Sequence, residues 1–244
     1  MPHETVTLGD LTCRVIGPPE SQPPEAVVVL CHGFGAPGTD LVPLAGEFVR
    51  CHPALENRVQ FVFPEGPLTI PEVPGGRAWW PIDMLEMQRA IAAGRFRDMR
   101  QAVPPRLPDA RDRLTAVVDG LRERSGLPLS QFVLGGFSQG AMLATDVTLR
   151  LPESPGALLI YSGTLVSEPE WKELAPQRAG LRVLQTHGTH DPLLPFEAAE
   201  WLRDLLRDAG LDVDFRSFPG IHTIPGEAIP ASAELVGTLL PAPS

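Results

Sequence analysis

Short, almost uninterrupted apolar runs alternate along this chain with longer stretches whose apolar residues recur every three or four positions. The runs Thr5–Leu8, Thr12–Ile16, Ala26–Cys31, Val59–Phe63, Gln131–Gly135, Ala157–Tyr161, Leu181–Thr186 and Val213–Ser217 read as strands. Several are apolar at every position, as expected of strands covered on both faces. Between them, Leu114, Val117, Val118 and Leu121 form one helical stripe. Ala198, Trp201, Leu202, Leu205, Leu206 and Ala209 form another, closed by Gly210. Strand–helix alternation of this kind predicts an α/β fold: a mostly parallel, doubly wound sheet with helices on both faces. The first two strands, joined at Gly9-Asp10, read as an antiparallel hairpin at one edge.

One segment breaks the alternation. Residues 66–108 are long for a connection and contain Trp79, Trp80, a predicted helix from Met84 to about Met99, and prolines 104, 105 and 108. This stretch is expected to be an insertion or partial lid on a single domain spanning residues 1–244. Its exposed tryptophans would then offer a partner surface, or a wall for a bound group. From Arg77 to Arg113 it carries eight arginines against five acids, in a chain whose net charge is −10. That overall charge repels polyanions, so a nucleic-acid partner is not expected. Three cysteines without a CxxC spacing point to a reduced, cytoplasmic setting, and no apolar run is long enough to span a bilayer. A homodimer remains open on these grounds.

The chemistry concentrates at strand ends. Gly136-Phe137-Ser138-Gln139-Gly140 follows a predicted strand and precedes a helical stretch, Gln139 to about Leu151. A serine on such a tight turn has its hydroxyl lifted above the sheet, and the helix beyond it aims free N–H groups at an anion formed there. Serine is a weak nucleophile and needs a base held by an acid. Asp191, in the loop after Leu181–Thr186, and His222, in the loop after Val213–Ser217, stand in the order Ser…Asp…His at successive strand ends.

An oxyanion would need two backbone donors. Gln139 follows the serine, and Phe34, with Gly35 as the next choice, lies in the glycine-rich loop His32–Gly38 after an early strand. His32 reads as a brace for that loop. Trp79, Trp80, Met84, Leu165 and Leu193 are candidate substrate-lining residues, with packing of the insertion onto the body as the other reading of the tryptophans. His187-x-x-His190-Asp191 could be read as a metal site. No HExxH or thiolate cluster accompanies it, and no metal or other cofactor is expected.

Taken together, LCHGFGAPGTDLVPLA (30–45), FPEG (63–66), AWWPID (78–83), LGGFSQGAMLA (134–144), YSGTL (161–165), HGTHDPLLP (187–195) and the C-terminal GIH resemble the phospholipase/carboxylesterase family of α/β-hydrolases, which includes bacterial carboxylesterases and acyl-protein thioesterases. The resemblance implies an α/β-hydrolase fold. It also implies Ser138 as nucleophile, Asp191 as acid, His222 as base, and the amides of Phe34 and Gln139 as oxyanion donors. The activity to expect is hydrolysis of short- to medium-chain carboxylic esters, with thioesters or lysophospholipids as alternatives. A binding module that keeps the fold without the chemistry is the rival of another class. Two departures stand out: the stretch after Ile82 is longer than in smaller members, and Ile221 precedes the histidine where a small residue is common.

Overall fold

Residues 3–16 open the chain as two antiparallel strands, β1 (His3–Leu8) and β2 (Leu11–Ile16), at one edge of the sheet. Gly9 and Asp10, with φ of +51° and +64°, form the two-residue turn between them. Positive φ at both central positions matches the twist of the flanking strands. The computed structural model describes residues 1–19, 21–92 and 98–241 of the 244.

The remaining main strands are β3 (Ala26–Cys31), β4 (Val59–Pro64), β7 (Phe132–Phe137), β8 (Ala157–Tyr161), β9 (Arg182–Gly188) and β10 (Asp212–Phe218). A small hairpin, β5 (Leu68–Thr69) with β6 (Arg77–Ala78), stands apart. The eight-stranded sheet runs β1-β2-β4-β3-β7-β8-β9-β10; only the β1–β2 and β2–β4 pairings are antiparallel. The chain winds outward from β3 to β4, then returns past it to β7. The carboxyl ends of β3 and β7 therefore flank a switch point, the usual place for a site in an open α/β sheet.

Both faces of the sheet are covered. In β3, Val27, Val29 and Cys31 pack into one core, and Ala26, Val28 and Leu30 into the other. This is why a period-2 strand reads as a continuous apolar run. The first core takes helix α3 (Leu107–Ser125) through Leu114, Val117, Val118 and Leu121, together with α4 (Gln139–Arg150) and α6 (Phe196–Asp208). Trp171 of α5 (Glu168–Leu174) joins them. The second core is closed by α1 (Pro43–Cys51) and α7 (Ala228–Gly237). Gly210, at φ +87°, ends the α6 region as its sequence position predicts.

Periodicity alone did not reveal α1, α5 and α7. Each carries proline in its first turn (Pro43, Pro169 and Pro230), and such prolines read as loop punctuation although the first turn tolerates them. The predicted helix from Met84 to Met99 is shorter: α2 spans Met84–Ala92, and Asp98 and Met99 are not helical. Residues 93–97 of that prediction lie outside the described residues.

Candidate active site

Ser138 sits between β7 and α4 with φ +53° and ψ −117°, a conformation that L-residues rarely adopt. Such a backbone costs on the order of 1–3 kcal/mol and persists where its surroundings dictate it. Here the surroundings are the carboxyl end of β3. A Cβ at either Gly136 or Gly140 would run into the carbonyl of Cys31. The two glycines of Gly-Phe-Ser-Gln-Gly thus let the turn press against β3. On its other side, the Ser138 N–H donates to the Tyr161 carbonyl at 2.8 Å.

The loop after β3 is built to present one amide. Gly66 N–H donates to His32 Nε2 (2.9 Å), so the ring proton sits on Nδ1, which donates to the Gly33 carbonyl at 2.8 Å. That carbonyl shares its peptide with the Phe34 N–H. In a trans peptide the two point in opposite directions, so fixing one aims the other. Burial lowers the His32 pKa; the Gly33 carbonyl and the charges of Asp40 and Glu65 oppose this without reversing it, and the ring stays neutral. The loop lies on the serine turn: a Cβ at Gly33 would be 3.5 Å from Ser138 Cβ. Gly35, the second choice from sequence, is corrected here, because its N–H is already committed to the Arg77 carbonyl at 2.8 Å. The Phe34 and Gln139 amides have no acceptor among the described residues.

Trp79 and Trp80 are not an exposed surface. They are 1% and 3% exposed and belong to the core, which corrects the expectation of a tryptophan-bearing partner face. Both side chains pack among the apolar residues of the first core. Trp79 N–H donates to Gln139 Oε1, and Gln139 Nε2 donates to the Trp80 carbonyl, both at 2.9 Å. The Trp79 indole N–H donates to the His32 carbonyl at 2.9 Å. The Trp79-Trp80 segment is therefore stapled to the serine turn and to the Phe34 loop at once. The side chain of Gln139, read from sequence only as the owner of an amide, is the staple.

Asp191 and His222 come together from adjacent strand ends. His222 Nδ1 donates to Asp191 Oδ2 at 2.6 Å, while the amides of Leu193 and Leu194 donate to Oδ1, each at 2.9 Å. Burial pushes the Asp191 carboxyl up, but the His222 hydrogen bond and charge, with the two amides, outweigh it and hold the group below its ordinary range. The two loops are zipped together beyond the strands: Thr189 N–H donates to the Phe218 carbonyl (2.9 Å) and His190 N–H to the Gly220 carbonyl (3.0 Å). Gly188 permits this closeness, since a Cβ there would meet the carbonyls of Gly220 and Ile221.

The His222 ring packs on Phe137, the residue before Ser138, with centroids 4.7 Å apart. The Ser138 hydroxyl itself is not hydrogen-bonded to the imidazole. Two further residues, whose part here was not read from the sequence, hold these loops. Ser162, at φ +50°, donates through Oγ to the Thr223 carbonyl at 3.1 Å; it lies within the Tyr161-Ser-Gly segment, the one local signal for it. His187 Nε2 lies 2.8 Å from the Leu194 carbonyl and 3.3 Å from Asp191 Oδ2.

Met84 and Leu193 are each 40% exposed, whereas Leu165 is buried and faces a groove of about 390 Å³ between α5 and α6, beside Trp201 and Leu205. His190 is exposed, with Nδ1 3.2 Å from the Thr189 hydroxyl. Among the described residues no cluster of three or more His, Cys, Asp or Glu side chains could hold a metal ion, and no helix is long and apolar enough to cross a membrane.

This strand order, with a strained serine at the end of β7 and a carboxylate–imidazole pair beyond β9 and β10, defines an α/β-hydrolase. Residues 11–238 match the model of the phospholipase/carboxylesterase family, and the chain belongs to that family of serine hydrolases. It is 28% identical to acyl-protein thioesterase 1 of Eremothecium gossypii over 185 residues, covering 74% of this chain and 72% of that one. Against a probable carboxylesterase of Oryza sativa subsp. japonica it is 28% identical over 228 residues, covering 89% and 92%. Among solved structures it is similar to esterase PE8, with a TM-score of 0.79 and 28% identity over 96% of this chain and all of that one. A carboxylesterase from Mesorhizobium loti shares the fold, with a TM-score of 0.72 and 23% identity over 97% and 99% of the two chains.

Proposed function

We propose that this protein is a serine carboxylesterase using Ser138 as nucleophile, His222 as general base and Asp191 as the acid that orients it. The observation that carries the reading is the 2.6 Å bond from His222 Nδ1 to Asp191 Oδ2, beside a serine held at positive φ one residue from the ring that His222 packs on. An ionised Asp191 makes Nδ1 the protonated nitrogen and leaves Nε2 free to accept a proton.

His222 takes the Ser138 proton as the hydroxyl attacks the ester carbonyl. This step requires a hydrogen bond from the Ser138 hydroxyl to His222 Nε2 in the reacting complex. The amides of Phe34 and Gln139 receive the oxyanion; one such donor is worth about 3 kcal/mol of barrier. His222 then protonates the departing alcohol, and water repeats the sequence on the acyl-enzyme.

Short- to medium-chain acyl groups are the proposed substrates. The residues flanking the acid and the base are exposed and apolar: Leu193 is 40% exposed and Ile221 63%. They offer surface to a neutral acyl chain, in keeping with a chain of net charge −10. Turnover of a p-nitrophenyl ester series from acetate to palmitate tests this. The wild type should favour the shorter half of the series, and Ser138→Ala should lose turnover and fluorophosphonate labelling while remaining folded. Unchanged turnover in that variant would refute the assignment; a maximum at palmitate would refute the chain length alone.

A further inference from the structure

His187 is a second imidazole on the carboxylate that His222 uses. Its side chain is fully buried at the end of β9, with Nε2 2.8 Å from the Leu194 carbonyl and 3.3 Å from Asp191 Oδ2, the oxygen that accepts from His222. A carbonyl can only accept, so Nε2 carries the hydrogen. Leu194 belongs to the same short turn whose amides donate to Asp191 Oδ1. One imidazole therefore ties down the far end of the acid's turn and lays an N–H dipole beside the working oxygen.

Resting on the triad proposed above, we infer that His187 is a positioning residue: it fixes the Asp191 turn through the Leu194 carbonyl and draws negative charge away from Oδ2. The groups that act on it electrostatically are Asp191, four residues along, and His222 from the loop after β10; α6 turns the neutral Phe196 ring toward it. Burial lowers the His187 pKa, outweighing the Leu194 carbonyl and the Asp191 charge, and so it serves as a neutral donor. Without that dipole, more charge on Oδ2 faces the His222 imidazolium, which then holds its proton to higher pH. The sequence hides this role, because His187 looks like one half of a His-x-x-His pair.

Three variants measured with p-nitrophenyl butyrate across pH 5–9 test the inference. His187→Gln keeps an N–H that can reach Leu194, His187→Asn ends too short, and His187→Leu has no donor. In the Asn and Leu variants kcat should fall about tenfold with KM within about twofold, and the acid limb of kcat/KM should rise by about half a pH unit; Gln should restore both. An unmoved kcat and limb in Asn and Leu, a limb that moves downward, or a Gln variant as impaired as Asn would each overturn it. If the Leu variant does not fold, the Gln and Asn pair decides, with rates taken per fluorophosphonate-reactive site. Failure of the triad shows separately, as a wild type without an acid limb or a Ser138→Ala variant with full turnover.

Discussion

Gln139 and Trp79 face each other across sixty residues of sequence, with the backbone N–H of Trp79 donating to Gln139 Oε1 at 2.9 Å. Because Gln139 Nε2 also donates to the Trp80 carbonyl, the side chain of the residue after the serine holds the buried Trp79-Trp80 backbone with both its donor and its acceptor. The amide proposed to receive the oxyanion is thus kept in place by its own side chain. This couples the packing of the Trp79-Trp80 segment to the geometry of the serine turn.

Gln139→Glu should expose that coupling as a pH dependence. One carboxyl oxygen still accepts from Trp79, but the other faces the Trp80 carbonyl and can bond to it only when protonated. The folded state would therefore raise the Glu pKa above its unfolded value of about 4.3. Stability is then greatest below that value and is lost as pH rises through the folded pKa. Thermal melts from pH 5 to 8 should show the variant losing Tm with rising pH relative to the wild type. Parallel curves would mean the staple tolerates charge.

Asp191→Asn should lower kcat by about 10⁴-fold, because an amide at this position favours the wrong His222 tautomer. The same carboxylate contributes to stability with a defined sign. Its folded pKa lies below its ordinary range, so its contribution is present above about pH 4 and lost as pH falls through the depressed value. Acid unfolding of the Asn variant should accordingly take up fewer protons below pH 4. A variant with wild-type kcat would exclude Asp191 as the acid.

His32 gives a second acid-side signature. It is buried and neutral, with a folded pKa below the usual imidazole value, so the unfolded chain binds its proton first. Its contribution is full above about pH 6.5 and declines as pH falls from there to the folded pKa. His32→Asn, which can still donate to the Gly33 carbonyl but cannot accept from Gly66, should flatten that decline in denaturant melts at pH 5–7. It should also lower kcat with little change in KM, since the Phe34 amide loses part of its support. An unchanged slope would show that His32 does not set it.

Asp146 is a stability test remote from the chemistry. It is fully buried on α4, where it accepts from Arg111 (2.5 Å), Arg150 (3.4 Å) and the Trp171 indole (2.8 Å), tying α3, α4 and α5 together. Asp146→Asn takes from Arg111 the carboxylate it pairs with, while Arg150 keeps Glu170, at a cost of about 3 kcal/mol. Chemical denaturation should show that loss, with kcat per labelled site unchanged. A loss below about 0.5 kcal/mol would mark the pairs as surface-like.

The β-branched runs, the Gly-Phe-Ser-Gln-Gly turn and the Ser…Asp…His order are local facts, and the sequence alone determined them. Ala26–Cys31 and Ala157–Tyr161 are strands with the boundaries their apolar runs predict, because a strand covered on both faces leaves no choice of pattern. Three helices that carry proline in their first turn escaped the same reading, since burial against the sheet rather than periodicity decides them. Only the tertiary structure decided which polar groups meet. That Gln139 grips Trp79 and Trp80, that His32 aims the Phe34 amide, and that His187 and His222 share one oxygen of Asp191 depend on loops brought together by strand order. Hydrogen bonds require contact within about 3 Å, and a linear pattern specifies the partners' chemistry but not their approach.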